Sequence, residues 1–574
     1  MKARIAAILL SVVSIFSVSC GASQKSESQT TSTPENGARK IVPQTTPLHI
    51  SADVSDVLDL AHYEDAPDIL LIDVDMAREF VFDMVLSSFA TYEFEETDTT
   101  VKITRNNGAY CVLDFVNDSI YFNDFDLFRV RFNNSISDML MTSYVDTQGN
   151  DIYFQRKGFL DVAGHPVHID LAEKDIPLDI YEGKKYIPFQ TLNDLFIAPY
   201  GTNFVFNSKD VFMLSSSGVF DPVLEEKYYS IEPTQRSEEL ANFTLNELSL
   251  LFDIHYGLQD EHGFDGDFKD YLERIGLLDE MLSPDPETAT TALASLLYGY
   301  IADKHSEVKM ISPYTGGEKI DKDSIKFNPS FSNYFEYLEI IQTERANSMP
   351  NGVPAYQEIG NTAYLTFDSF YVSAERFTDY NENSTQINDT ISLIIYAHSQ
   401  INREGSPIEN VVLDLSCNGG GLIDAGIYAI AWMLGSCDLH VVNPITNNLS
   451  TTTYAIDVNL DGVFDENDYL SNKNLYCMLS PVSFSCGNLV PALLKESGRV
   501  TLLGNTSSGG ACAVQMSCTA DGSIFSLSSS FRISTAANGS YYNIDKGVTP
   551  HVYLSKLESF FDRDSLTSYI NNLK

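Results

Sequence analysis

From about residue 46 to 225, apolar and polar positions alternate in short runs broken by turn residues, a pattern that predicts strands. "TVKITRNNGAYCVLDF" holds two alternating runs around Asn106-Asn107-Gly108, a hairpin pattern, and "YVDTQGNDIYFQ" repeats it at Gly149-Asn150. Between 226 and 345 the period lengthens. Leu240, Phe243, Leu248 and Leu251 fall on one helical face, as do Leu293, Leu296, Leu297, Tyr300 and Ile301. That second run ends at Asp303-Lys304-His305-Ser306, so His305 is expected beyond the helix. From 346 to 574 strand-like and helix-like runs take turns. "NVVLDLSCNGGGLIDAGIYAIAWMLG" reads as strand, glycine turn and helix, "NLYCMLSPVSFSCGNLVPALLKESG" repeats the unit, and "RVTLLG" adds a strand. The expected fold is α/β: a βαβ core preceded by a helical segment (226–345) and a β-rich N-terminal accessory domain (46–225).

The first twenty residues follow another logic. Lys2 and Arg4 precede "IAAILLSVVSIFSV", an apolar run too short to span a bilayer comfortably and ending in small residues, as a signal peptide does. Ser17-Val18-Ser19-Cys20-Gly21 resembles a bacterial lipobox. The resemblance implies cleavage before Cys20, lipidation of that residue, and an extracytoplasmic place in the cell envelope, with the membrane touched only through the lipid. Ordinary secretion is the alternative. Residues 21–45 are polar and rich in Ser, Thr and Gln, a composition that suits a flexible tether. A formal charge of −43, from 79 acidic and 36 basic residues, excludes nucleic acid as a partner, because phosphate binding needs a basic face. Beyond Cys20 seven cysteines remain, without CxxC or His/Cys spacing, so neither a disulfide framework nor a zinc site is expected.

Two turns carry the candidate chemistry. After Val411 to Leu415 comes Asn418-Gly419-Gly420-Gly421, where backbone N–H groups can approach a substrate oxygen. After Leu475 to Leu479 comes a small-residue turn ending in Ser485, at the mouth of a helix whose unpaired N–H groups favour a developing oxyanion. Either turn alone is weak, since a serine at a helix N-terminus is usually a cap.

Together, "NVVLDLSCNGGG", "SFSCGNLVPALLKESGRVTLLGNTSSGG", "IDKGVTPHV" and "LYGYIADKHSE" resemble the C-terminal processing (tail-specific) and tricorn-type serine peptidases, with a ClpP/crotonase-like catalytic domain. The resemblance runs from about 290 to 552 and implies hydrolysis of a peptide or protein substrate, Ser485 as nucleophile, Gly419, Gly420 and Gly421 as the oxyanion turn, and no catalytic cofactor. One branch of that family uses a lysine, but Gly510 or Ala511 falls at its place and no Lys occurs between Lys495 and Lys546. The other branch uses a histidine, and His305 matches its segment as general base. Two candidates stand for the group that orients the imidazole: Asp545, near the closing strand, and Ser306. Asn488 stands where many relatives carry glutamate. This and the shifted carboxylate motivate an alternative, a non-catalytic binding lipoprotein that kept the fold. An α/β-hydrolase elbow is excluded, because Ser483 occupies the position of its first glycine.

Two further segments stand out. "DVNLDGVFDEND" (457–468) follows the pattern of a calcium loop, with Asp457, Asn459, Asp461, the Val463 carbonyl, Asp465 and Asp468 at the ligand positions and Gly462 at the turn. Residues 167–196 resemble copper amine oxidase N-terminal-like domains, implying an accessory module. His165 and His168 beside it are expected to serve structure rather than metal.

Overall fold

The computed structural model describes residues 39–130, 135–141, 153–162, 164–215, 218–264, 266–318, 320–373, 389–556 and 558–573. The signal segment, Cys20, most of the tether and the expected turn at Gly149-Asn150 lie outside these residues.

The front part forms two sheets, antiparallel throughout except where Ile41–Ser51 pairs in parallel with Val211–Leu214. One sheet runs in the order Asp179–Tyr181, Lys184–Pro188, Ala66–Asp73, Val54–Tyr63, Ile41–Ser51, Val211–Leu214, Asn203–Phe206. The tether expected to reach 45 therefore ends by residue 40. Ile41, Thr46, Leu48 and Ile50 are buried, and that burial carries the strand through Pro43 and Pro47. The second sheet, five-stranded, includes the Asn106-Asn107-Gly108 hairpin, Thr100–Arg105 against Tyr110–Asp114. A continuous apolar core joins the two, with Phe80, Phe122, Phe128 and Phe196 at its centre.

The C-terminal half contributes strands β1 (Thr362–Thr366), β2 (Asn410–Asp414), β3 (Asn474–Leu479), β4 (Val500–Gly504), β5 (Cys512–Cys518), β6 (Ile524–Ala537) and β7 (Val552–Tyr553). Helices α1 (Pro329–Ser348), α2 (Ile423–Leu434) and α3 (Cys486–Glu496) flank them. β1, β2, β3, β4 and β7 pair in parallel, in that order, with Tyr356–Ile359 antiparallel on the β1 edge. Strands buried on both faces read as unbroken apolar runs, which is why "NVVLD" and "LYCML" do not alternate. α2 and α3 cover one face around the buried Trp432.

A second seven-stranded sheet crosses the expected domain boundary. Its path is Val308–Met310, β6, Cys437–Asn443, Asn448–Ile456, Phe154–Val162, with β5 and Ser540–Asn543 also paired to β6. Phe154–Val162, assigned by sequence to the front module, instead pairs antiparallel with Asn448–Ile456. Val130, Ile136, Leu140 and Phe154 likewise pack into the C-terminal core. Alternation predicts a strand, but it does not say which sheet the strand joins.

Candidate active site

Ser485 follows the β3 turn and caps α3. Its backbone stands at φ 55°, ψ −123°, a left-handed conformation that costs a non-glycine residue about 1–3 kcal/mol. The side chain makes no capping bond, so the hydroxyl is not spent on the helix as a cap serine's would be. Crowding fixes this geometry. A Cβ on Gly420 would lie 2.6 Å from Ser485 Cβ and 3.2 Å from its Oγ, so only glycine lets the two turns meet. A Cβ on Gly510 would lie 2.9 Å from Ser485 N and 2.6 Å from the Phe484 ring, which leaves no room for a lysine there.

The amides of the two turns divide into committed and free. Gly419 N–H donates to Asp368 O, Gly420 N–H to Asn418 Oδ1 and Ser485 N–H to Gly509 O. Among the described residues no hydrogen bond is made by Gly421 N–H or Cys486 N–H, the latter at the open first turn of α3. The Cys486 thiol donates to Gly421 O at 3.1 Å, and burial pushes its pKa up to about 12, so it is held as a neutral thiol. All seven described cysteines are buried and free.

His305 sits 7% exposed on the turn after the helical segment. Asp303 braces that turn, accepting His305 N–H at 3.0 Å and the Ser306 hydroxyl at 2.7 Å. The imidazole packs against Phe484, ring centroids 4.7 Å apart, directly beside the serine. Its Nδ1 lies 3.5 Å from Ser528 Oγ on β6, and its Nε2 is buried without a partner among the described residues. No hydrogen bond joins it to Ser485. Burial lowers its pKa, against the opposing pull of Asp303 and Asp545.

Neither expected orienter bonds the ring. Ser306 is spent on Asp303, and Asp545 Oδ1 accepts the N–H groups of Gly510 (3.2 Å) and Ala511 (3.1 Å). Asp545 therefore clamps the loop whose Gly509 carbonyl holds Ser485 N–H. Burial, and then Asp303, raise its pKa. Lys546 pairs with Glu261 instead, at 2.9 Å. Asn488 donates to Ile544 O and accepts the Ser507 hydroxyl, pinning α3 to the closing segment.

Sequence reasoning missed Ser528 and Lys304. Ser528 lies in a serine-rich stretch, "SLSSSF", with nothing to single it out. Lys304, visible only as the neighbour of His305, reaches over the Tyr334 and Phe484 rings to Ser508 O at 3.3 Å, and burial lowers its pKa.

The 457–468 loop is tied by its own amides. Asp457 accepts Leu460 and Gly462 N–H, Asn459 accepts Asp461, Asp461 accepts Val463, and Asp468 accepts Val458 and Asp465. Among the described residues no three His, Cys, Asp or Glu side chains are placed to hold a metal, here or at His165 and His168.

An α/β core with a serine at a helix mouth, its hydroxyl uncommitted to capping, facing a glycine turn is the layout of a serine hydrolase. Residues 361–554 match peptidase family S41, and this part of the chain is a domain of that serine peptidase family. A Chlamydia pneumoniae protein is 30% identical over 103 residues, covering 18% of this chain and 16% of its own length, so the chain spans only a small part of that relative. Among solved structures, the photosystem II D1 C-terminal processing protease is 22% identical, with 36% of this chain and 46% of that one covered at a TM-score of 0.26. Mature CPAF complexed with lactacystin is 10% identical, with 58% and 98% covered and a TM-score of 0.37. A Streptococcus agalactiae lipoprotein is 12% identical, with 60% and 98% covered and a TM-score of 0.34.

Proposed function

We propose that the protein is a secreted serine endopeptidase, anchored to the membrane through lipid on Cys20, that cleaves peptide bonds with Ser485 and His305. The observation that carries this reading is the strained, uncapped Ser485 between two glycine turns, beside a buried imidazole whose Nε2 has no partner. Catalytic hydrogen bonds are often long or unformed without substrate and tighten only around it. Ser485 Oγ attacks the carbonyl carbon as Nε2 takes its proton. The oxyanion meets the free N–H groups of Cys486 and Gly421. Collapse breaks the C–N bond, and the imidazolium returns the proton to the leaving amine. Water, activated by the same imidazole, then hydrolyses the acyl-serine.

A second reading, a non-catalytic peptide- or ligand-binding lipoprotein, is favoured by the missing Ser485–His305 bond and by the commitment of Asp545 elsewhere. Labelling with a fluorophosphonate and cleavage of a peptide library separate the two. The peptidase labels at Ser485 and cleaves, and Ser485→Ala loses both. An unlabelled, inactive wild type establishes the binding protein.

A further inference from the structure

An apolar groove of about 190 Å³ lies where the front part meets β5 and β6. Val130, Ile136, Met139 and Leu140 wall it on one side, Met516 and Phe531 on the other. The front part also contributes Ala198 and Gly201. Ser529 lines the groove, and its strand neighbour Ser528, whose side chain points to the other face of β6, meets His305. β5 begins one residue after Ala511, whose N–H is held by Asp545.

The β5 edge explains what the groove is for. β5 pairs on one side only, with β6. On its other side Met516 O accepts from Asn203 Nδ2 and Cys518 O from Gln190 Nε2, both side chains of the front part. Outward-facing groups recur every second residue of a strand, so the N–H and C=O of Val514 point the same way. No hydrogen bond to either is described on that side, and Val514 is 48% exposed at the groove. Gln515 Nε2, also at the groove, is a buried donor without a partner among the described residues.

We infer that the groove is a specificity site for an extended peptide. The peptide adds as a strand to β5, its backbone paired with Val514 and one large apolar side chain seated among Val130, Met139 and Phe531. Strand addition of this kind takes affinity from backbone pairing and specificity from pockets for alternate side chains. Val514 lies three residues beyond Ala511, just past a bulge between Cys512 and Val514 that re-aims the strand edge towards the groove. The front part thereby sets which peptides are taken. The inference deepens the peptidase reading and rests on it for the identity of the ligand.

The test uses the full chain carrying Ser485→Ala, so that peptides bind without being cut, and fluorescein-labelled peptides with Leu, Phe, Ala or Asp at each position. Val514→Pro removes an outward N–H and no bond to β6. Met139→Trp fills the groove from the front side. Binding by anisotropy is expected to favour Leu or Phe at one position by at least tenfold. Val514→Pro is expected to weaken every peptide by tenfold or more, and Met139→Trp to abolish only the apolar preference. If Val514→Pro does not fold, by melting curve, the Met139→Trp profile alone decides. Equal binding of all four residues at every position, or a preference unchanged by Met139→Trp, overturns the inference. Fluorophosphonate labelling of the wild type reads the catalytic assignment separately. An unlabelled wild type with groove-dependent binding rejects the peptidase and keeps the groove.

Discussion

Two side chains decide whether this site does chemistry. Ser485 is held out of the ordinary backbone regions by Gly420 and Gly510, a conformation that persists only where the surroundings over-determine it. As the proposed base, His305 must be neutral to take its proton. Burial is the largest influence on it and favours the uncharged ring, so its pKa lies below the ordinary 6.5. Activity as kcat/KM is therefore expected to be flat from pH 7 to 8 and to fall only below 6.5. An acid limb centred above 6.5 in the pH profile would reject His305 as the base. The same depression bears on stability. Between the folded pKa and 6.5 the unfolded chain binds the extra proton, so this residue's contribution is lost as pH falls through that window.

Single elements are tied in by buried charge. The C-terminal helix Arg563–Asn571 places Arg563 against Asp414 at the end of β2, both side chains at most 5% exposed. Asp414 also accepts the N–H and hydroxyl of Ser416, so the pair fixes the approach to the glycine turn. Arg563→Ala leaves a buried carboxylate alone and is expected to cost about 3–5 kcal/mol, read by urea unfolding. A loss under about 1 kcal/mol would mean that the helix contributes little to holding β2. The 457–468 loop is proposed to take calcium on its alternate oxygens, with Gly462 at φ 79° making the turn. Because Asp468 must leave its amide partners to ligate, affinity is expected near 10⁻⁴–10⁻³ M, roughly that of extracellular modules. Calcium at a hundredfold excess over the Kd should then add about 2.7 kcal/mol of stability, reversed by chelator and lost in Asp461→Ala. An unchanged melting temperature would leave the loop a hydrogen-bonded turn.

For the whole molecule, the sequence showed what is local or periodic. The parallel core, the two turns, Ser485 and the turn bearing His305 all follow from runs of residues close in the chain. The groups behind His305 did not. Ser528 comes to the imidazole from 223 residues away and carries no pattern, while Asp545 had the right chemistry and a different partner. Phe154–Val162 lies among the front strands in the sequence but finds its partner at Asn448–Ile456, a pairing that no local pattern announces. That crossing has a consequence in time. At about 5–20 residues per second, the partner of Phe154–Val162 is synthesised roughly 15–60 s after it. Until then a strand whose Phe159 is 71% exposed even in the finished fold waits unpaired. The front part is thus no exchangeable cassette. Grafted onto another enzyme it would arrive with an orphan strand, and a core deprived of it would show Asn448–Ile456 as a raw edge open to its neighbours.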